Sequence, residues 1–200
     1  MKVHRMEAFS DGILAIIITI MVLELKVPEG HDWKALAELA PKFFSYAVSF
    51  VYIGIYWNNH HHLLHTVHKL NGKIMWLNAL LMFSLSLIPF STAWMGETSF
   101  SPTPTALYGV TLLFAAIAYS LLQKAILNQH APDSAVVKAM GKDLKGTLSI
   151  LFYLIPIGTA YFSTLVSCFF FVLVAIIWFV PDRRIERALK NESEISLAKD

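Results

Sequence analysis

Residues 146–181 run for 36 positions without a single Asp, Glu, Lys or Arg, and no other feature of the chain constrains its fold as tightly. A helix crosses the hydrocarbon core of a bilayer with about 20 apolar residues. The run is too long for one span, and Pro156, Gly158 and Ser163 lie near its middle, where a helix is expected to break. It reads as two short spans. Four more uncharged runs, at 12–23, 43–68, 74–96 and 98–123, raise the expectation to six spans: residues 9–27, 43–61, 74–95, 105–123, 147–162 and 163–180. Composition points the same way: of 200 residues, 56% are hydrophobic and 15% charged, against about 25% charged in a soluble domain. So much apolar surface has to face lipid or sibling helices, which excludes a soluble enzyme or a nucleic-acid reader. The net charge of +2 is too balanced to suggest a polyanionic partner. The expected fold is all-α, a single six-helix transmembrane domain over residues 1–181 with a charged cytoplasmic tail at 182–200.

The basic residues orient this layout, because cytoplasmic flanks are rich in Lys and Arg. Six spans put 13 of the 16 Lys and Arg residues on one side and leave Lys26, Lys34 and Lys42 on the other. Both termini are therefore expected in the cytoplasm, with Glu97 and the Ser-Pro-Thr-Pro segment at 101–104 in an outer loop. Residues 31–40 place Trp33, Leu36 and Ala40 at helical spacing, which suits a short surface helix or a solvated loop. A secretory signal would have a purely basic start and a small-x-small cleavage site. Glu7 and Asp11 interrupt the start and no such site follows Leu23, so the first helix is expected in the mature protein. The single cysteine, Cys168, lies within an apolar run and reads as a buried thiol.

The first span is chemically unusual, since its cytoplasmic end carries Arg5, Phe9, Ser10, Asp11 and Gly12. An ionisable group at that depth costs several kcal/mol unless it is paired or hydrated. At 100° per residue, Gly12, Ile16, Thr19 and Leu23 fall within about 60° of one another, extended toward the cytoplasm by Arg5 and Phe9. Asp11 and Ser10 sit roughly 120 to 140° away. The polar pair and the apolar stripe must therefore meet different neighbours.

The string Arg5-x-x-x-Phe9-Ser10-Asp11-Gly12, an apolar helix with Thr19, and then Leu23-Glu24-Leu25-Lys26-Val27-Pro28 resembles the prokaryotic branch of the transmembrane protein 175 family, whose eukaryotic relative is the endolysosomal potassium channel. Trp57-Asn58-Asn59-His60-His61, Asn78 and Pro89-Phe90-Ser91-Thr92 resemble its second and third helices. The likeness is strongest over the first 95 residues. It implies a potassium-selective cation channel in the plasma membrane, a homotetramer whose first helices line the pore. By the same resemblance the constriction falls on Ile16, on Thr19 or Ile20, and on Leu23. Thr19 and Ile20 lie on opposite flanks of the stripe, and which points closer to the axis is open. The implied permeant ion is K+, with no cofactor; the partners are potassium, lipid and further copies of the chain, and no nucleic acid.

Physical reasoning fits those positions. A ring of branched aliphatic side chains excludes water until it widens, and so gates a pore. An ion entering a barely wet ring sheds part of its hydration shell, which potassium holds less strongly than sodium. Thr19 hydroxyls can replace lost water oxygens. No Thr-Val-Gly-Tyr-Gly filter is present; Gly158-Thr159-Ala160-Tyr161 reads as a turn. Phe-Ser-Asp occurs once, so one chain offers one stripe and a ring needs several chains.

Five of the eight histidines are His60, His61, His62, His65 and His68, and His61, His65 and His68 share a helix face. Such spacing suits zinc, but with no Cys, Asp or Glu beside them in sequence the expectation is no metal site. Instead, His60 or His61 is expected to bond Ser10 and Asp11. With Arg5, Phe9, Trp57 and Asn78 these residues make up a structural or gating network. Two other classes compete with the channel, a divalent-metal transporter using residues 60–68 and a non-conducting membrane scaffold. No enzyme is expected, since Asp11 has no second acid or deep histidine arranged to meet it.

Overall fold

The computed structural model describes residues 2–140 and 144–179, and among them every regular element is a helix. In chain order these are α1 (Val3–Leu23), α2 (Trp33–Glu38), α3 (Ala40–Leu64), α4 (Gly72–Ser86), α5 (Ile88–Glu97), α6 (Pro102–Leu127), α7 (Ala135–Met140), α8 (Leu144–Thr159) and α9 (Thr164–Phe179). Val3–Leu23, Gly72–Glu97 and Pro102–Leu127 are long and apolar enough to cross a membrane, and Leu148–Thr159 and Thr164–Phe179 are shorter apolar helices. α3 is 25 residues long, with Trp57, two Asn and three His gathered toward its C-terminal end. The tail at 182–200 lies outside the described residues.

Proline explains two differences from the expected layout. The third span, expected as one helix over 74–95, is interrupted at Leu87 between α4 and α5. Pro89 has no N–H to give the carbonyl four residues back, and its ring crowds that carbonyl. The segment expected as an outer loop at 101–104 is instead the start of α6, with Pro102 as its first residue. Proline suits that position because its φ is already helical and the first-turn N–H groups have no intrahelical acceptor. The Thr105 N–H and hydroxyl both return to the Ser101 carbonyl, at 3.1 and 2.8 Å. Residues 31–40 do contain a surface helix, α2, capped by Asp32, which accepts from the Ala35 N–H at 2.8 Å. The six-residue α7 falls in a stretch read as a connection.

The long uncharged run divides at residues 160–163 into α8 and α9, and its polar atoms are satisfied across the turn. The Ser167 hydroxyl donates to the Pro156 carbonyl at 3.0 Å and lies 3.0 Å from the Thr159 hydroxyl. That agrees with the demand that polar groups within an apolar bundle find internal partners. Among the described residues no buried side-chain nitrogen or oxygen lacks a hydrogen bond.

Packing is organised around α6, which contacts α4, α5, α8 and α9 and buries Tyr108, Leu112, Ala115, Ala118, Leu122 and Ile126. α3 and α5 approach closely: a methyl group at Gly96 would lie 2.9 Å from the Lys42 Cα, nearer than side-chain carbons pack. Ser49, on the same face of α3, is hydrogen-bonded to Thr92 at 2.7 Å and to Tyr108 at 2.9 Å. These contacts join α3, α5 and α6 into a frame. α1 rests against α3, α4 and α5.

Candidate functional site

α1 buries Met6, Ser10, Leu14, Ile17 and Met21, spaced by four and three residues so that they form one face. Gly12, Ile16, Thr19 and Leu23 project from roughly the opposite side and are exposed. Relative exposure reaches 58% at Ile16, 44% at Ile20 and 77% at Leu23. Thr19 and Ile20 are both on the exposed side. The Thr19 hydroxyl donates to the Ile16 carbonyl at 2.8 Å, which commits its proton to the backbone and leaves its lone pairs facing outward.

The packed face is pinned near its N-terminal end by a buried relay. The Ser10 hydroxyl donates to the Met6 carbonyl at 2.9 Å. The Asn78 amide N–H of α4 donates to the Ser10 oxygen at 3.0 Å. The Asn78 oxygen lies 2.7 Å from His60 Nε2 on α3, so the imidazole donates and Nε2 carries the proton. Ser10, Asn78 and His60 are each at most 2% exposed. One asparagine therefore ties three helices together, using both ends of its amide.

A second, wetter set lies beside the relay. The Trp57 indole N–H donates to Asp11 Oδ1 at 3.1 Å. Glu7 Oε1 is 2.8 Å from His61 Nδ1, and His61 Nε2 is 3.2 Å from His65 Nε2. The residues expected in one polar network thus fall into two groups: Ser10, Asn78 and His60 inside, Asp11 and Trp57 with Glu7 and His61 at the rim. Arg5 and Phe9 are on the exposed side of α1, and among the described residues no hydrogen bond joins Arg5 to either group.

Two sequence readings are corrected by this geometry. An acid does accompany the histidine cluster: Glu7, 54 positions from His61 in sequence, is folded against it. His68 does not join His61 and His65. Its Nε2 is 3.0 Å from His130 Nδ1, and His130 Nε2 bonds the Thr66 carbonyl at 2.7 Å, which fastens the end of α6 to the α3–α4 connection. Helical spacing placed His68 on the His61 face, but α3 ends at Leu64 with His65 as a C-cap that still has helical backbone angles, and beyond His65 the helical wheel no longer applies. Glu7 had one available signal, a spacing of four residues from Asp11 on α1.

The helices and this site define an all-α, multi-pass membrane protein with an N-terminal helix held along one face by polar and apolar contacts. Comparison with known proteins is specific: the chain belongs to the TMEM175 channel family. The family model described as "Endosomal/lysosomal potassium channel TMEM175" matches residues 5–89. A potassium channel of Chryseobacterium sp. (strain P1-3) is 50% identical over 187 residues, 94% of this chain and 97% of the relative. A potassium channel of Streptomyces collinus is 33% identical over 170 residues, 80% of this chain and 82% of the relative. The crystal structure of a lysosomal potassium-selective channel TMEM175 homolog from Chamaesiphon minutus superposes with a TM-score of 0.76 at 27% identity, covering 90% of this chain and 97% of that one. Channels rather than enzymes are its kin, and cation conduction is the function they share.

Proposed function

We propose that four copies of this chain form a potassium-selective channel in the plasma membrane, with the α1 helices around a central axis and Ile16, Thr19 or Ile20, and Leu23 forming the constriction. One observation carries this reading: the face of α1 opposite its packed side is apolar and left uncovered by the described residues of its own protomer. Potassium selectivity is supported by the relatives named potassium channel and by the structural match described as potassium-selective. Both termini are cytoplasmic in this proposal, α4 and α5 make one broken span, and residues 1–181 form the channel domain with 182–200 as its tail.

The gate follows from side-chain chemistry. Rings of Ile16 and Leu23 exclude water when α1 helices are close, and admit it when they part. In a ring just wide enough for water, an ion loses part of its hydration shell, and sodium loses more free energy than potassium in doing so. Thr19, with its proton given to the Ile16 carbonyl, offers lone pairs as a partial replacement. The Ser10–Asn78–His60 relay and the Trp57–Asp11 bond set the tilt of α1 and hence the bore. Kinship with channels favours this over a divalent-metal transporter or a scaffold.

Native mass measurement of the purified protein, paired with ion efflux from reconstituted vesicles, tests the proposal. Four chains per particle and faster potassium than sodium efflux are expected. A different stoichiometry, or vesicles tight to both ions, overturns it.

A further inference from the structure

Glu7 on α1, His61 near the C-terminal end of α3 and His65 at its C-cap bring one ligand atom each to within 4.8 Å of one another. We propose that His61 and His65 bind a divalent transition-metal ion of the zinc class through their Nε2 atoms, with Glu7 holding His61 Nδ1 from behind, and that the ion tightens this Glu7–His61 link and so clamps α1 to α3. Only the effect of the clamp on conduction rests on the reading of α1 as the pore helix; binding itself does not.

Three observations carry the site. First, two nitrogens each about 2.0–2.1 Å from a tetrahedral zinc stand roughly 3.3 Å apart, and His61 Nε2 and His65 Nε2 are 3.2 Å apart. Second, a carboxylate on the far nitrogen of a ligating imidazole fixes its tautomer and raises its basicity. Glu7 Oε1 holds His61 Nδ1 in this way at 2.8 Å, so the Nε2 lone pair faces His65. Without an ion, His65 Nε2–H donates to that lone pair. With an ion, both Nε2 lone pairs go to the metal and the His65 proton is carried on Nδ1, so each imidazole stays neutral. Third, His65 is exposed while Glu7 and His61 are half-buried, which gives an ion a path in and leaves room for water to complete its shell.

The donor set decides the class of ion. Two imidazole nitrogens with water completing the shell suit zinc, cobalt, nickel or copper, whereas calcium and magnesium favour all-oxygen sites. Nearby groups hold the arrangement: Trp57 stacks on His61 with centroids 6.3 Å apart, and His4 Nδ1 lies 3.9 Å from Glu7 Oε2. Glu7 is three residues before Ser10 and four before Asp11. A metal on His61 Nε2 draws electron density from the ring and strengthens the Nδ1–H bond to Glu7, which adds to the hydrogen bonds that already set α1, and conduction falls.

Calorimetric titration of the full-length protein in detergent, stripped with chelator and then given zinc, is the first test, with the visible bands of tetrahedral cobalt as a second readout. One ion per chain is expected. His65→Gln and, separately, Glu7→Gln should weaken binding by about tenfold or more, and His68→Gln should leave it unchanged because His68 belongs to the His130 pair. Absence of binding, or binding that depends on His68 and not on His65, overturns the site. In potassium-loaded vesicles, zinc should slow efflux from the wild type and lose that effect with His65→Gln. Efflux insensitive to zinc despite intact binding overturns the clamp. Vesicles that pass no potassium refute the channel reading and leave the site to be judged by the titration.

Discussion

The two faces of α1 have almost the same hydrophobicity and opposite surroundings. Leu14, Ile17 and Met21 are each 2% exposed against α3, α4 and α5, while Ile16 and Leu23, one or two residues away, are 58% and 77% exposed. The packed face also carries the polar atoms that reach other helices, through Ser10, and the open face sends no side-chain hydrogen bond to another element among the described residues. A bundle buries a helix face either because neighbouring side chains fit it or because polar groups there need partners. α1 satisfies both conditions on one side only, so its other side is free to meet something outside the protomer. In the proposal that something is the same stripe from three more copies.

The sharpest way to break this contrast is a pair of matched truncations. Ile17→Ala should lower stability in detergent unfolding by about 3 kcal/mol, as expected for a cavity in a packed site. Ile16→Ala should change it by no more than about 0.5 kcal/mol, as at an open position. Equal losses at the two positions would show that the faces do not differ. Next in size, Asn78→Leu strands Ser10 and His60 without their shared amide and should destabilise the protein by about 2 kcal/mol, read as a fall in assembled particles on size exclusion. Intact assembly and unchanged thermal unfolding would remove the relay from the account.

Two smaller effects probe the open face. Ile16→Asn wets the proposed constriction and should raise potassium efflux about tenfold, a barrier change of about 1.4 kcal/mol, with folding unaltered. Efflux equal to wild type at both Ile16→Asn and Leu23→Asn would make the stripe a lipid contact. Thr19→Val keeps the shape and removes the lone pairs. It should alter the potassium-to-sodium ratio by a few-fold, about 1 kcal/mol or less, without changing stability; an unchanged ratio points to Ile20 as the residue nearer the axis.

The readability of the chain varies with how local each feature is. The α8–α9 division was visible because Pro156, Gly158 and Ser163 interrupt one apolar run, and the opposition of Ser10 to the Ile16 stripe was visible because a helix fixes angles between residues a few positions apart. Pro89 and Pro102 were visible too, but their consequences were not: one proline broke a span and the other opened a helix, and which occurs depends on whether a preceding turn is already formed. His68 was misplaced because helical spacing was carried past the C-cap residue His65. Glu7 was missed because nothing near residue 61 announces an acid from residue 7.

By itself the sequence determined that this protein is helical and lies in a membrane, that it contains no Thr-Val-Gly-Tyr-Gly string, and that it carries the Arg5-x-x-x-Phe9-Ser10-Asp11 string on which its resemblance to the family was read. Hydropathy and short-range periodicity decide those things, and both are properties of neighbouring residues. Tertiary structure alone decided that Asn78 reaches Ser10 across 68 positions, that Trp57 and not a histidine bonds Asp11, and which side of α1 is left bare. Each of these depends on the relative placement of helices, set jointly by shape, close approaches such as Gly96 against Lys42, and the need of every buried polar atom for a partner.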